Sequence, residues 1–270
     1  MANKFLSFLS IGKTAYAIQP LLLQNFKQST KNQRKAEMVT IVVATTADPA
    51  SINPAKALLS MPDWHPGPTL DGGIRSFTNG GTVRLLELDS SIIKEDDLDL
   101  RWEFATGETV DELIFLSKHV AVSSRPSLTI HPIDGDVLPQ GGRPGWAAPP
   151  CPRIGPWLIL LKKIAESHNL LPEFEITLEA THHGPITTKP AMFVEIGSTD
   201  EYWGRQDAAQ VIALVEYKFI FHTILALLFM SLFFANSLTK FIGIYTMYIK
   251  KEIICNSLSL SLSLSMCSCV

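Results

Sequence analysis

The sequence predicts an α/β fold built on a mixed, mainly parallel sheet, and three observations carry that expectation. Short runs rich in β-branched and large apolar residues recur between residues 38 and 215, helix-period stretches alternate with them, and 46% of the 270 residues are hydrophobic. The last figure excludes a wholly disordered or fibrous chain. The predicted strands are 39–45, 82–88, 112–117, 127–133, 175–181 and 192–197. The predicted helices are 54–61, 157–169 and 207–215. The clearest places Trp157, Leu158, Leu160, Leu161, Ile164, Ala165 and His168 on one broad face, with Lys162, Lys163 and Glu166 turned outward. His168 on that face reads as a packed histidine at the edge of the core.

The formal net charge of −3 averages three unlike segments. Residues 1–37 are basic, with Glu37 their one acid, and read as an extension without a folded role or as a transit peptide. The body, 38–215, carries 13 basic and 23 acidic side chains, a net −10. It therefore offers no basic surplus of the kind polyanion binding uses. Residues 216–270 are apolar and then low in complexity, ending in alternating Ser and Leu from Ser257 to Ser265. This tail reads as translated non-coding sequence. The alternatives are a single hydrophobic helix anchoring the chain through 219–238, or a folded soluble helix. Cys151 is the body's one cysteine, so neither a disulfide framework nor a cysteine zinc site is expected, and the body reads as intracellular.

Chemistry in the body concentrates at four histidines and a few acids. Glu179-Ala-Thr-His-His-Gly-Pro185 closes a predicted strand. If that strand stays extended, Glu179, Thr181 and His183 share one face, and Ala180 and His182 take the other. Gly184-Pro185 then leaves both imidazoles at the strand's carboxyl end, where open α/β sheets bind ligands. A metal or acid–base site is expected, with structural hydrogen bonding as the alternative. His119 and His131 bracket a Ser-Ser-Arg-Pro turn, and their spacing of twelve matches no standard zinc motif. Ser123, Ser124 and Arg125 would suit a phosphate or carboxylate, an ordinary turn with an exposed arginine being the alternative. The Pro/Gly-rich segment 134–156, with Trp146 at its centre, reads as a lid or substrate-facing loop, or else a linker. The acidic run Glu95-Asp-Asp-Leu-Asp99 reads as a solvated turn. No Gly-rich phosphate loop, Gly-x-Ser-x-Gly elbow or His-Glu-x-x-His occurs.

Several motifs recur in one order: Ala44-Thr-Thr-Ala-Asp-Pro-Ala-Ser-Ile-Asn53, Asp97-Leu-Asp-Leu-Arg-Trp102, the His119-to-His131 stretch, Gly141-Gly-Arg-Pro-Gly-Trp-Ala-Ala148 and Arg153-Ile-Gly-Pro-Trp157. Glu173-Phe-Glu-Ile-Thr-Leu-Glu-Ala-Thr-His-His-Gly-Pro185, Val194-Glu-Ile-Gly-Ser-Thr199 and Asp207-Ala-Ala-Gln210 follow. Together they resemble the archaeal and plant-type D-aminoacyl-tRNA deacylase family across 38–215. The resemblance implies hydrolysis of the ester joining a D-amino acid to tRNA, a zinc cofactor, tRNA as partner and a cytoplasmic setting. An organelle, through 1–37, or a membrane, through the tail, are the alternatives. It also implies a fold related to peptidyl-tRNA hydrolases and nucleoside phosphorylases. His119, His131, His182 and His183 become candidates for metal binding, and His183, Glu179 and Glu195 for catalysis. Ser123, Ser124, Arg125 and Trp146 are candidates for substrate contact. The family pattern continues into a Gly-rich segment and a His-Tyr-Ala-Pro motif, which nothing after Val215 resembles, so a truncated fold is expected. The competing functional readings are an inactive truncated product, held at a membrane through 219–238, and a metal-dependent hydrolase of other esters or amides.

Overall fold

A computed structural model of the chain describes residues 38–133, 143 and 145–220. Strand β1 (Met38–Thr45) is buried from its second residue onward and organises the sheet. It is followed by α1 (Pro49–Leu59), β2 (His65–Pro66), β3 (Arg75–Thr78), β4 (Val83–Leu88), a 3-10 turn (Ile92–Lys94) and α2 (Leu98–Thr106). Next come β5 (Thr109–Lys118), β6 (Ser127–Pro132), α3 (Ile154–Ser167), β7 (Glu175–Leu178), β8 (Ala191–Gly197) and α4 (Asp200–Trp203). The eight strands lie in the order β2-β3-β4-β1-β5-β8-β6-β7. Pairs β1–β4, β1–β5, β5–β8 and β6–β7 are parallel, while β2–β3, β3–β4 and β6–β8 are antiparallel. The sheet is therefore mixed and mainly parallel, as its apolar strands lead one to expect. β1, β4, β5 and β8 are covered on both faces, which requires near-continuous apolar runs.

The chain divides into two units between Val215 and Glu216. The first holds every named element and a helix over 206–215, and the described residues 216–220 of the second are helical. Among the described residues no helix is long and apolar enough to cross a membrane. The predicted extension 1–37, the apolar run past residue 220, the Ser-Leu repeat, and 134–142 with Pro144 lie outside them.

Several local expectations change. Helix α1 starts five residues before the predicted 54, because Asp48 caps it: the Asp48 carboxylate accepts from the Ala50 N–H at 3.0 Å, and Pro49 opens the first turn. Asp48→Ala costs about 1 kcal/mol of stability, readable as a lower denaturant midpoint at unchanged slope. Strand β7 ends at Leu178, so the alternation expected over 179–183 does not apply. His168 is exposed beyond the end of α3, with Nδ1 2.9 Å from the Ile164 carbonyl, rather than packed at the core edge. The acidic run is no solvated turn at its end: Asp99 is fully buried in the first turn of α2.

At the amino ends of β1 and β5, Glu112 is buried among Thr40, Arg153 and Cys151. The Cys151 thiol donates to Glu112 Oε2 at 3.1 Å, and burial pushes its pKa far up, so it is a packing group rather than a nucleophile.

Candidate active site

On the opposite, carboxyl end of the parallel strands β1, β5 and β8 lies an open cavity of about 520 Å³. Its position follows from topology, since strands leave β1 on both sides and create a crevice there. Asp48, Lys118, His119, His182, His183 and Glu195 contribute its polar wall; Ile92, Ile93 and Val120 contribute apolar surface.

Period-two geometry explains the floor. Phe193, Glu195 and Gly197 alternate along one face of β8, opposite His131, Thr129 and Ser127 of β6. The His131 ring lies flat against Phe193, with centroids 5.0 Å apart and 5° between planes. Gly197 leaves the space that His119 fills: a Cβ there would sit 2.6 Å from His119 Cβ. The Trp203 indole N–H donates to the His119 carbonyl at 2.9 Å and holds that residue from the other side.

Six of the residues expected from sequence come together here. His131, His182 and His183 form one group of donors, and His119, Glu179 and Glu195 a second, the donor atoms within each lying within 4.8 Å of one another. His182 stacks on His131 at 3.9 Å, and His183 meets both edge-on at 4.4 and 5.1 Å. His119 Nδ1 is 3.1 Å from Glu179 Oε1 and 3.5 Å from Glu195 Oε2. His182 Nε2 is 3.8 Å from Glu179 Oε2, so these two residues share a side despite the parity expected of a longer strand. Glu195 spans the groups, its Oε1 facing His131 Nε2 at 3.7 Å.

The donor chemistry suits a cation. Nδ1 of His131 is 2.8 Å from the Pro132 carbonyl and Nδ1 of His182 is 2.7 Å from that of Ala180. Donation from each Nδ1–H to its carbonyl leaves both Nε2 lone pairs free. His131 Nε2, His183 Nδ1 and Glu195 Oε1 are buried without a hydrogen-bond partner. Buried polar atoms are normally bonded, and three unmet ones across two adjoining donor groups fit a site that closes on a metal ion. Burial, reinforced by neighbouring imidazoles against the pull of Glu195, lowers His183 to about 4 and keeps it neutral at pH 7. Burial alone would raise the Glu195 carboxyl, but the hydrogen bond from His119 opposes it and holds the group below the usual carboxylate range. A hydrogen bond to Glu195 raises His119, against burial, and the charge of Glu179 adds to the rise.

The remaining sequence candidates lie elsewhere. Ser123, Ser124 and Arg125 are exposed, outside the cavity lining, and Arg125 pairs with Glu175 at 2.8 Å. Trp146 is half-buried against the core cluster. Sequence reasoning missed Asp48, Lys118 and Trp203. Lys118 holds its ammonium 4.6 Å from the Trp203 ring centroid, and no motif signals such a pair in advance.

Comparison with known proteins agrees with this architecture. A family model described as D-aminoacyl-tRNA deacylase matches residues 106–231, reaching past the expected boundary at 215. A D-aminoacyl-tRNA deacylase of Arabidopsis thaliana is 68% identical over 187 residues, covering 67% of this chain and 59% of the relative. Those of Methanococcoides burtonii and Aeropyrum pernix are each 34% identical, over 66% and 64% of this chain and 37% and 61% of theirs. The chain thus spans less than two-thirds of the length of these curated relatives. A crystal structure of a conserved protein of unknown function superposes with a TM-score of 0.56 at 29% identity, covering 66% of this chain and 61% of that one. On these matches residues 106–231 fit the D-aminoacyl-tRNA deacylase family model, and the chain is similar to deacylases of that name over about two-thirds of its own length.

Proposed function

We propose that the chain hydrolyses the ester bond between a D-amino acid and the terminal ribose of tRNA, releasing free D-amino acid and tRNA. The observation that carries this reading is the gathering of four histidines and two glutamates in two adjoining donor groups, of which His119, His182, His183 and Glu195 line one open cavity. The resemblance to the deacylases supplies the substrate, and the convergence speaks for a working hydrolase over an inactive product.

The group of His131, His182 and His183 would hold zinc, and His119, Glu179 and Glu195 form a second donor set beside it. Zinc, when bound, supplies a water acidic enough to ionise near neutral pH and positive charge against a developing oxyanion. The chain's own residues do the rest. Neutral His183 offers a lone pair at pH 7. His119 keeps its Nδ1 proton shared between Glu179 and Glu195, so the two carboxylates hold fixed orientations. Glu179, only partly buried and in contact with His119 and His182, is the carboxylate that would take up a proton, and Glu195 orients the histidines. The apolar wall of Ile92, Ile93 and Val120 limits the water around the ester.

The test is deacylation of D-tyrosyl-tRNA by the 270-residue chain supplied with zinc, against L-tyrosyl-tRNA. Hydrolysis of the D-ester is expected, with His183→Ala lowering it at least about 100-fold together with bound zinc. Full activity and unchanged zinc in His183→Ala would overturn the assignment.

A further inference from the structure

We infer that Asp99 is a positioning residue for the histidine pair: the first turn of α2 clamps the segment returning from His183 to β8 and so sets where both imidazoles point. The inference rests on the reading above that His182 and His183 hold a metal.

Residues 183–190 form no helix or strand of their own, yet Thr187 in their midst is buried. Their backbone polar groups need partners from elsewhere, and α2 with its leading residues supplies them. Asp96 Oδ1 accepts from the Ile186 N–H at 2.8 Å, and the Asp97 N–H donates to the Ile186 carbonyl at 2.8 Å. Asp99 Oδ2 accepts twice, from the Thr188 N–H at 2.9 Å and the Thr188 hydroxyl at 2.7 Å. One turn further on, Glu103 pairs with Lys189 Nζ at 2.9 Å.

On the other side of the pair, His182 is bridged to Ile133, and Gly184 lies so close that a Cβ would meet Ile133 Cγ2 at 2.5 Å. The two imidazoles therefore hang between two fixed points, the Ile133 bridge and the α2 clamp. Asp99 is 0% exposed and its Oδ1 has no hydrogen-bond partner. A buried carboxylate with one unmet oxygen is costly if its only task is to fill space, and a neutral residue would fill it at less cost. What a carboxylate adds is short, charge-assisted bonds that restrict the segment. Its place in the first turn of α2 also suits its charge to the helix dipole. Displacing a metal ligand's support by a fraction of an ångström weakens binding without touching a ligand.

The experiment titrates the full chain with Co²⁺ alone and follows the visible absorption of the bound ion. Asp99→Ala is expected to raise the titration midpoint about 10-fold or more and to shift the bands. Asp99→Asn, which keeps an acceptor for Thr188, recovers most of the loss. Glu112→Gln, buried at the far end of β5, serves as the comparison: it lowers the melting temperature and leaves the cobalt spectrum unchanged. A wild-type midpoint and spectrum in Asp99→Ala, or an equal disturbance in Glu112→Gln, overturns the inference. Absence of any cobalt band in the wild type overturns the metal reading instead. The clamp is then decided by the His182 and His183 imidazole NMR signals, which must shift or broaden in Asp99→Ala and stay in place in Glu112→Gln.

Discussion

Glu195→Gln lowers hydrolysis of D-tyrosyl-tRNA by at least about 100-fold and zinc affinity by roughly 10- to 100-fold, effects on the scale expected of a ligand such as His183. Glu195 is 1% exposed and touches both donor groups: Oε2 lies 3.5 Å from His119 Nδ1 and 3.4 Å from the Thr129 hydroxyl, and Oε1 faces His131. An amide keeps the shape but replaces one acceptor with a donor. That N–H₂ must point either at a protonated nitrogen of His119 or at the lone pair His131 would offer a metal. The first leaves a buried donor facing a donor, and the second occupies the ligand. Equilibrium dialysis against zinc and single-turnover deacylation read the two losses separately. Retention of both would remove Glu195 from the site.

Gly184→Ala destabilises the fold by about 2–4 kcal/mol, with a melting temperature lower by roughly 5–15 °C. Two independent causes add. Gly184 has φ +148°, which L side chains rarely adopt, and its new methyl would lie 2.5 Å from Ile133 Cγ2 and 3.1 Å from Phe193 Cε2. Both neighbours are fully buried and cannot retreat. The glycine directly follows His183, so whatever strain the chain relieves by moving is relieved at the site, and deacylation falls with stability. Gly204→Ala is the contrast: φ there is −86° and a Cβ meets nothing within 4 Å, so its stability changes by no more than about 0.5 kcal/mol. Differential scanning calorimetry of the two variants checks both statements.

Strands β1, β4, β5, β6 and β8 were readable because burial on both faces demands unbroken apolar, β-branched runs, and such runs are local features of sequence. The two short strands β2 and β3 were not, because His65-Pro66 and Arg75–Thr78 have no apolar alternation and become strands only by pairing, β3 onto β4 and β2 onto β3. Helix α2 was hidden for a similar reason. Asp-Leu-Asp-Leu-Arg-Trp has no clear helical stripe; Asp99 accepts from Thr188, and Trp102 packs into the core while its indole N–H donates to Glu108.

The site divides in the same way. The residue types were legible: two adjacent imidazoles before Gly-Pro, two more bracketing a turn, and glutamates in strand contexts suggested metal or acid–base chemistry. Their partnership was not. His119, His131, His182 and Glu195 are far apart in sequence, and the antiparallel β6–β8 register opposite Phe193 and Glu195 is what brings His131 under the other rings. Arg125 pairs with Glu175, a partner fifty residues away that the parallel β6–β7 pairing brings near.

By itself the sequence determined the fold class and the strands of the sheet's centre, since these depend on composition, period and residue type, and through its family resemblance it nominated six side chains for the site. The tertiary structure alone decided which of them meet, on which face, and with which atoms left unpaired. Those outcomes depend on strand order and on the room that Gly184 and Gly197 leave, and neither is encoded within reach of a local pattern.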